Sequence, residues 1–297
     1  MEKKDLGFGK GASNTGTRFI NKDGSINVFR KGLPFIRPYD LYHTLISINW
    51  LKFMVLISVS FFTVNLLFAW FYTVLENNAL SMVDEQHRFW DSFFFSVQTM
   101  TTVGYGAISP ISMAAKVISS IGSFLGLLGF ALVTGLLYGR FSKPMTKIRY
   151  SKNALISPFQ EKNALMFKMA NQRSSKLIEA EVTAVFIATI DGKLVYEDLK
   201  LQLRKINFFA LSWTLVHLID EDSVMFNHTT ESLKKGDAEV VILMKAFDDS
   251  FSQTVYSRMS YKHYEFIWNA RFDSSIHNEN GKMGIDLKKM DSYTKLN

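Results

Sequence analysis

The sequence predicts a membrane protein of mixed α and β class, in which two transmembrane helices and a re-entrant segment precede a β-sandwich. Two long apolar runs lie before residue 140, a short helix-like stretch followed by glycines lies between them, and short strand-like runs come after. The 297 residues are enough for about two domains. Cysteine is absent, which excludes disulfides and thiolate metal sites.

Both apolar runs meet the length of a membrane-spanning helix, which needs about 20 predominantly apolar residues. The first covers residues 50–72 and the second covers residues 117–139. Trp50, Trp70 and Tyr138 lie close to their ends, where aromatic rings favour the headgroup region. We therefore expect two membrane spans.

The distribution of positive charge predicts how the spans are oriented. Lys and Arg are frequent in residues 1–49 and just after residue 139, whereas the stretch between the spans is acidic. By the positive-inside rule, both termini are cytoplasmic. We expect residues 1–32 to form a mobile polar tail. The net charge of +7 lies largely beside the membrane, which indicates anionic lipids and no nucleic acid as partners.

The stretch between the spans begins as a helix that is too short to cross a membrane. In WDSFFFSVQTMTTVGYG, Asp91 or Ser92 is expected to cap the helix, and no Pro or Gly follows before Gly104. Irregular backbone at membrane depth is tolerated only beside protein or a water-filled cavity. We therefore expect the glycine-containing segment to line an aqueous path, toward which the helix C-terminus directs its negative dipole end.

The segment TMTTVGYG resembles the selectivity filter of potassium channels. Gly104 and Gly106 can adopt positive φ, so successive carbonyl groups can turn to the same side. The resemblance implies a filter that consists of Thr102, Val103, Gly104, Tyr105 and Gly106. Its expected K+ ligands are the carbonyl oxygens of Thr102, Val103, Gly104 and Tyr105 and the Thr102 hydroxyl, which together replace the hydration shell of the ion.

The region after the second span alternates short apolar runs with turn residues, as β-strands do. Asp191 and Gly192 separate two strand-like runs and are a strong hairpin signal, and Asn280 with Gly281 marks a second candidate hairpin. Several short strands of this kind predict a sandwich.

Several segments resemble inward-rectifier potassium channels, most closely their prokaryotic branch. They are WDSFFFSVQTMTTVGYG and YGRFSKP in the pore region, and YSKNALISPFQEKNALMFKMANQR, LSWTLVHLIDEDS and EFIWNARF in the β region. The resemblance implies a homotetramer with one central pore that immunoglobulin-like β-sandwiches continue into the cytoplasm. It implies a cytoplasmic N-terminus (1–48) with an amphipathic slide helix over about residues 34–47, a pore domain (49–139) and a cytoplasmic gating domain (140–297).

The second span contains candidate gating residues. Phe130 and Tyr138 are eight residues apart and lie nearly on one helical face, so both can form apolar constrictions that gate by dewetting. The alternative is that they pack against lipid or other helices. Gly129 is the candidate hinge, whereas Gly122 and Gly126 are interpreted as close-packing residues. Phe130 also lies where strongly rectifying family members hold an acidic residue, which predicts weak or altered rectification.

Basic residues beside the membrane match the family's phosphoinositide-binding bases in type and rough position. They are Arg37, Arg140, Lys143, Lys147 and Arg149. A plain positive-inside flank explains the same residues, so both interpretations stay open.

The remaining motifs give no support for an enzyme. The six His are scattered, and neither H-E-x-x-H nor a Ser/His/Asp set is recognisable. We expect a K+ channel without a cofactor in the inner membrane of a bacterium, with permeant K+ and anionic lipids as partners. Two other functions stay open. A transporter subunit should carry the filter motif several times, and a lipid sensor or scaffold would bind lipid without conducting ions.

Overall fold

The structure is a computed structural model that describes residues 17–29, 31–32, 40–143, 147–173, 176–279 and 281–296. The chain divides into two compact units. The pore unit is Leu33–Lys143, and the β unit is Met1–Gly32 together with Pro144–Asn297.

The described part of the pore unit is helical. Its helices are α1 (Leu41–Ser47), α2 (Trp50–Val74), α3 (Arg88–Met100) and α4 (Met113–Phe141). Among the described residues, α2 and α4 are the helices long and apolar enough to cross a membrane, and they contain the two predicted spans. α1 covers the end of the predicted slide helix, whose residues 34–39 lie outside the described residues.

The short helix α3 contacts both membrane-spanning helices. The rings of Tyr72 on α2 and Phe95 on α3 meet edge to face at 5.1 Å. Phe68 and Met100 are buried in the same apolar cluster, which also includes Ala115 of α4. One side of the helix that precedes the glycine-containing segment is therefore packed against both spans, as its position between them predicts.

The prediction that Asp91 or Ser92 caps α3 is wrong, because the helix begins at Arg88. The N–H of Asp91 already donates to the carbonyl oxygen of His87 at 2.9 Å, so helical bonding starts earlier. Asp91 lies in the first turn, and its Oδ2 accepts a hydrogen bond from the N–H of Asp84 at 3.1 Å. A carboxylate in this turn complements the positive end of the helix dipole.

The described part of the β unit consists mainly of strands. They are β1 (Ile148–Tyr150), β2 (Ala154–Phe159), β3 (Lys162–Asn171), β4 (Leu177–Ile190), β5 (Lys193–Leu199), β6 (Lys205–Phe209), β7 (Ser212–Ile219), β8 (Glu239–Asp248), β9 (Gln253–Lys262), β10 (Phe266–Trp268), β11 (Ala270–Phe272), β12 (Ile276–Glu279), β13 (Lys282–Ile285) and β14 (Tyr293–Lys295). A short helix, α5 (Thr230–Lys235), precedes β8.

Two five-stranded sheets form the predicted sandwich. One has the order β1-β3-β2-β10 with β7 also paired to β3, and the other has the order β5-β4-β8-β9 with β6 paired to β4. Phe167 and Leu215 of the first sheet and Phe186 and Ile242 of the second are fully or almost fully buried in one shared core. Burial of such side chains stabilises each by roughly 1.5–3 kcal/mol, so this core is the main source of stability in the unit.

Both predicted hairpins are present. Asp191 and Gly192 connect β4 to β5 with φ of 49° and 73°, which is the pattern of a type I′ turn. β12 pairs with β13 through Gly281, whose φ is 74°, while Asn280 lies outside the described residues.

The N-terminal segment differs from the predicted mobile tail, since residues 17–29 associate with the β unit. Phe19 and Ile20 are buried beside Ile187. The backbone N–H of Phe19 donates to the carboxylate of Glu239 at 3.1 Å, and Glu239 is completely buried. These described residues therefore pack within the β unit.

Ion pairs reinforce this association. Arg18 and Lys22 both pair with Glu265, which follows β9 and is nearly buried. Burial lowers the pKa of the Lys22 ammonium, although the neighbouring Glu265 opposes this shift. Phe19 and Ile20 lie between basic residues, so in the sequence they are hard to distinguish from part of a mobile tail. The surface that buries them is formed by strands far away in the sequence.

We expect the β unit to lose stability in mild acid because of His217, which is buried on β7. Its Nδ1 lies 2.9 Å from the carbonyl oxygen of Lys200 and donates to it, so the neutral ring accepts the Ser223 hydroxyl at Nε2 over 2.8 Å. Burial lowers the pKa of His217 below its ordinary value of 6.5. The unfolded chain then binds the proton more readily, and the free energy of unfolding falls as the pH falls below 6.5.

The thermal unfolding midpoint of the purified protein, measured by tryptophan fluorescence between about pH 5 and pH 8, checks this expectation. His217→Gln should flatten the dependence, and His277→Gln, at an exposed position, should not. A wild-type midpoint that stays constant over this range would contradict the argument.

Candidate functional site

The turn after α3 is held by the C-terminal end of that helix. The N–H of Val103 donates to the carbonyl oxygen of Gln98 at 2.9 Å, and the N–H of Gly104 reaches the same oxygen at 3.4 Å. The N–H of Thr102 donates to the carbonyl oxygen of Thr99 at 3.2 Å. The first three N–H groups of the predicted filter are therefore all directed back to α3.

Every second residue of this segment has positive φ. The values are 60° for Thr102, 55° for Gly104 and 82° for Gly106. Those of the two glycines agree with the sequence prediction, whereas that of Thr102 was not predicted. A β-branched residue in this region is a strained outlier, and such strain persists where the surrounding structure holds it, typically at ligand sites.

The carbonyl oxygens of this segment are left available. Within the part of the chain that the structure describes, no donor is paired with the carbonyl oxygens of Thr102, Val103, Gly104 or Tyr105. The side chains of Val103 and Tyr105 are 51% and 77% exposed in the single chain. Backbone carbonyls are strong acceptors that need partners at membrane depth. The segment thus presents oxygen ligands suited to a cation.

The chain that leaves the segment is anchored to the loop after α2. The N–H of Ile111 donates to the carbonyl oxygen of Ala79 at 2.8 Å, and the N–H of Ser81 donates to that of Ser109 at 2.9 Å. Both ends of the carbonyl-bearing segment are therefore fixed.

Two glycines of α4 allow close approach of helices. An added Cβ at Gly126 would overlap the Met100 carbonyl oxygen and lie 2.7 Å from the Met100 Cα. An added Cβ at Gly122 would lie 3.1 Å from the ring of Phe68. This agrees with their interpretation as close-packing residues.

The candidate gating residues lie on one exposed side of α4 in the single chain. Phe130 and Tyr138 are each 75% exposed. α4 continues through Gly129, and no heavy atom lies within 4 Å of a Cβ added there. Packing thus gives no reason for a glycine at this position, and its role as a hinge stays a prediction.

Arg140, at the end of α4, is bonded to the end of α1. Its two terminal nitrogens donate to the carbonyl oxygens of Leu45 at 2.6 Å and Ile48 at 2.7 Å. Its guanidinium also lies 4.6 Å from the ring centre of Trp50 and 4.3 Å from that of Phe53. The last carbonyls of a helix have no partner within it, so Arg140 caps α1 from another helix.

Replacing Arg140 by alanine should destabilise the pore unit by about 1.5–3 kcal/mol, the usual range for hydrogen bonds to a charged group. Arg140→Lys should recover only part of this loss, because an ammonium cannot reproduce the planar two-pronged contact. Thermal midpoints of the detergent-purified protein measure the effect. Lys143→Gln is the control, since Lys143 is exposed and bonds to the Ser47 hydroxyl at 3.0 Å, its one side-chain bond among the described residues. Equal midpoints for all four proteins would contradict the cap.

The other predicted lipid-binding residues differ in whether they have a protein partner. Arg149 pairs with Asp291 at 2.7 Å within the β unit. Lys147 is exposed, and Arg37 lies outside the described residues. Arg140 and Arg149 thus have protein partners that their charge did not indicate.

Two membrane-spanning helices, a helix that enters between them and a turn with available carbonyl oxygens define a channel for cations. The model of the family described as "Inward rectifier potassium channel C-terminal domain" matches residues 148–297, and one described as "Ion channel" matches residues 47–143. The chain belongs to the inward-rectifier potassium channel family, as predicted, and it is an ion channel and not an enzyme.

Relatives from bacteria and mammals match almost the whole chain. Inward rectifier potassium channel Kirbac3.1 of Paramagnetospirillum magnetotacticum is 35% identical, over 92% of this chain and 94% of its own length. Inward rectifier potassium channel 18 of Homo sapiens is 25% identical, over 94% of this chain and 72% of its own. ATP-sensitive inward rectifier potassium channel 12 of Bos taurus is 26% identical, over 94% of this chain and 73% of its own.

Proposed function

We propose that the chain conducts K+ selectively through a filter formed by Thr102, Val103, Gly104, Tyr105 and Gly106. The observation that carries this proposal is that the N–H groups and the carbonyl oxygens of this segment are bonded differently. The N–H groups of Thr102, Val103 and Gly104 bond back to α3, while the carbonyl oxygens of residues 102–105 have no donor among the described residues. These oxygens, with the Thr102 hydroxyl, replace the water around a dehydrated K+.

A single chain supplies one strand of carbonyls and cannot surround an ion. Four copies around an axis bring four such segments together, and the exposure of Val103 and Tyr105 supports contacts with further copies. The C-terminal end of α3 adds negative dipole potential that favours a cation. The functional form is therefore a homotetramer with one central pore.

The orientation follows from the basic flanks. Both termini and the β unit face the cytoplasm, and the loop that carries the filter faces outward, in the inner membrane of a bacterium. In the tetramer, the exposed rings of Phe130 and Tyr138 face the axis and act as apolar gates, with Gly129 as the hinge.

Anionic lipid modulates the channel through its basic flank. Arg140 and Arg149 are bonded to other groups of the protein. Among the described residues, the candidates for lipid binding are therefore Lys143 and Lys147. Whether lipid opens or closes the pore depends on its relative affinity for the two states.

Rubidium uptake into proteoliposomes, compared with sodium uptake, tests the proposed conduction. Uptake of rubidium well above that of sodium is expected. A purified protein that binds phosphoinositide vesicles and takes up neither ion would instead be a lipid sensor or scaffold.

The same assay with and without phosphoinositide tests the lipid site. Neutralising Lys143 and Lys147 to glutamine should reduce the change in uptake that the lipid causes, because each charge near an anionic surface contributes about 1 kcal/mol. Lys193→Gln, at the exposed start of β5, is the matched control and should keep the full response. A wild-type uptake that is insensitive to phosphoinositide would end the proposal.

A further inference from the structure

A buried polar residue lies within the apolar helix α2. Asn65 is completely buried, and a buried amide is costly unless its groups are hydrogen-bonded. Its Nδ2 donates to the carbonyl oxygen of Phe61 one turn earlier, at 2.9 Å. If that were its only bond, Asn65 would be an ordinary helix residue that satisfies itself.

The carboxamide oxygen of Asn65 makes a second bond, which crosses to another helix. It accepts the hydroxyl of Ser96 on α3 at 2.8 Å, and Ser96 is 1% exposed. In the described part of the chain, this is the side-chain hydrogen bond that joins α2 to α3 along their buried lengths. The neighbouring contacts are apolar and aromatic, such as Tyr72 against Phe95. Contacts of this kind define the rotation and depth of a helix less sharply than a hydrogen bond does.

Ser96 lies two residues before the carbonyl group that holds the turn. Gln98 accepts the N–H groups of Val103 and Gly104. A rotation or shift of the last turn of α3 would therefore move both N–H groups, and with them the carbonyl oxygens of the same segment. At the other end of α3, Arg88 donates to the carbonyl oxygen of Leu75. The helix is thus fixed at its start by Arg88 and near its end by Ser96.

We infer that Asn65 is a positioning residue for ion selectivity, which acts through Ser96 to set the register of the filter. This inference rests on the proposed filter. Loss of the hydrogen bond between Asn65 and Ser96 would then change how well K+ is distinguished from Na+, although neither side chain contacts the ion.

The ratio of rubidium to sodium uptake in proteoliposomes tests the pair. Ser96→Ala removes a single oxygen, and Asn65→Val removes the amide at similar size. Each should lower the ratio at least about threefold, which corresponds to an average interhelical hydrogen bond in a membrane. The double variant should be no worse than the more affected single variant, because either change already breaks the bond. Ser96→Thr keeps the hydroxyl and should retain most of the wild-type ratio.

Thr73→Val is the matched control. Thr73 lies on the same helix, and its hydroxyl donates to the carbonyl oxygen of Ala69 at 2.8 Å without reaching α3. It should leave the ratio unchanged. A wild-type ratio in Ser96→Ala, or an equal loss of rubidium and sodium uptake, would overturn the inference while leaving the filter intact. A wild-type protein that does not prefer rubidium would overturn the proposed function itself.

Discussion

Rubidium uptake is expected to fall at least about a hundredfold when Gly104 is replaced by alanine. Gly104 has a φ of 55°, and no atom lies within 4 Å of an added Cβ, so the change acts through the backbone and not through a clash. The left-handed conformation costs a residue with a Cβ about 1–2 kcal/mol. In a homotetramer, this cost occurs four times around one filter. The population of channels with a conducting filter conformation therefore becomes small.

Gly192→Ala is the matched control for this change. Gly192 also has positive φ, 73°, and open space around its Cβ position, but it lies in the β4–β5 turn. It should cost the β unit a similar amount of stability per residue and leave uptake near the wild-type value. Wild-type uptake by Gly104→Ala would contradict the assigned role of the backbone.

Gly126→Ala should be the most disruptive glycine change within the membrane helices. The added methyl overlaps the carbonyl of Met100, and backbone cannot move aside as a flexible side chain can. α4 must then separate from α3 beside the last residue of that helix, at a cost of at least about 1–3 kcal/mol per chain. We expect loss of most rubidium uptake and a smaller yield of the assembled protein.

Gly135→Ala controls for the glycine change itself. It lies on the same helix, and no heavy atom lies within 4 Å of its added Cβ. Size-exclusion profiles and uptake should both resemble those of the wild type. If Gly126→Ala assembles and conducts as well as Gly135→Ala does, the close contact with Met100 is not required.

Much of the pore unit could be predicted from the sequence because the membrane restricts what a chain can do there. A lipid environment requires long apolar helices, and α2 begins at Trp50 as predicted. The positive φ of Gly104 and Gly106 followed from the residue type. The positive φ of Thr102 did not, because the hydrogen bonds to α3 impose it against the preference of a β-branched residue.

Other features were missed because one sequence signal can have several physical causes. The charge of Arg140 indicates a membrane flank, a lipid contact or a helix cap equally well, and only the distances to Leu45 and Ile48 identify the cap. Asn65 was visible as a polar residue within an apolar span, but its partner is 31 positions away. The burial of Phe19 depends on strands more than 150 residues later. The sequence next to Phe19 is therefore typical of a polar tail.

The most direct test of the central claim is a crystal structure of the protein grown in rubidium, with anomalous scattering measured at the rubidium edge. Anomalous peaks are expected on the symmetry axis of a tetramer, between the carbonyl oxygens of Thr102, Val103, Gly104 and Tyr105. Rubidium uptake by the same preparation without peaks at these carbonyls, or with peaks only elsewhere, would contradict the claim.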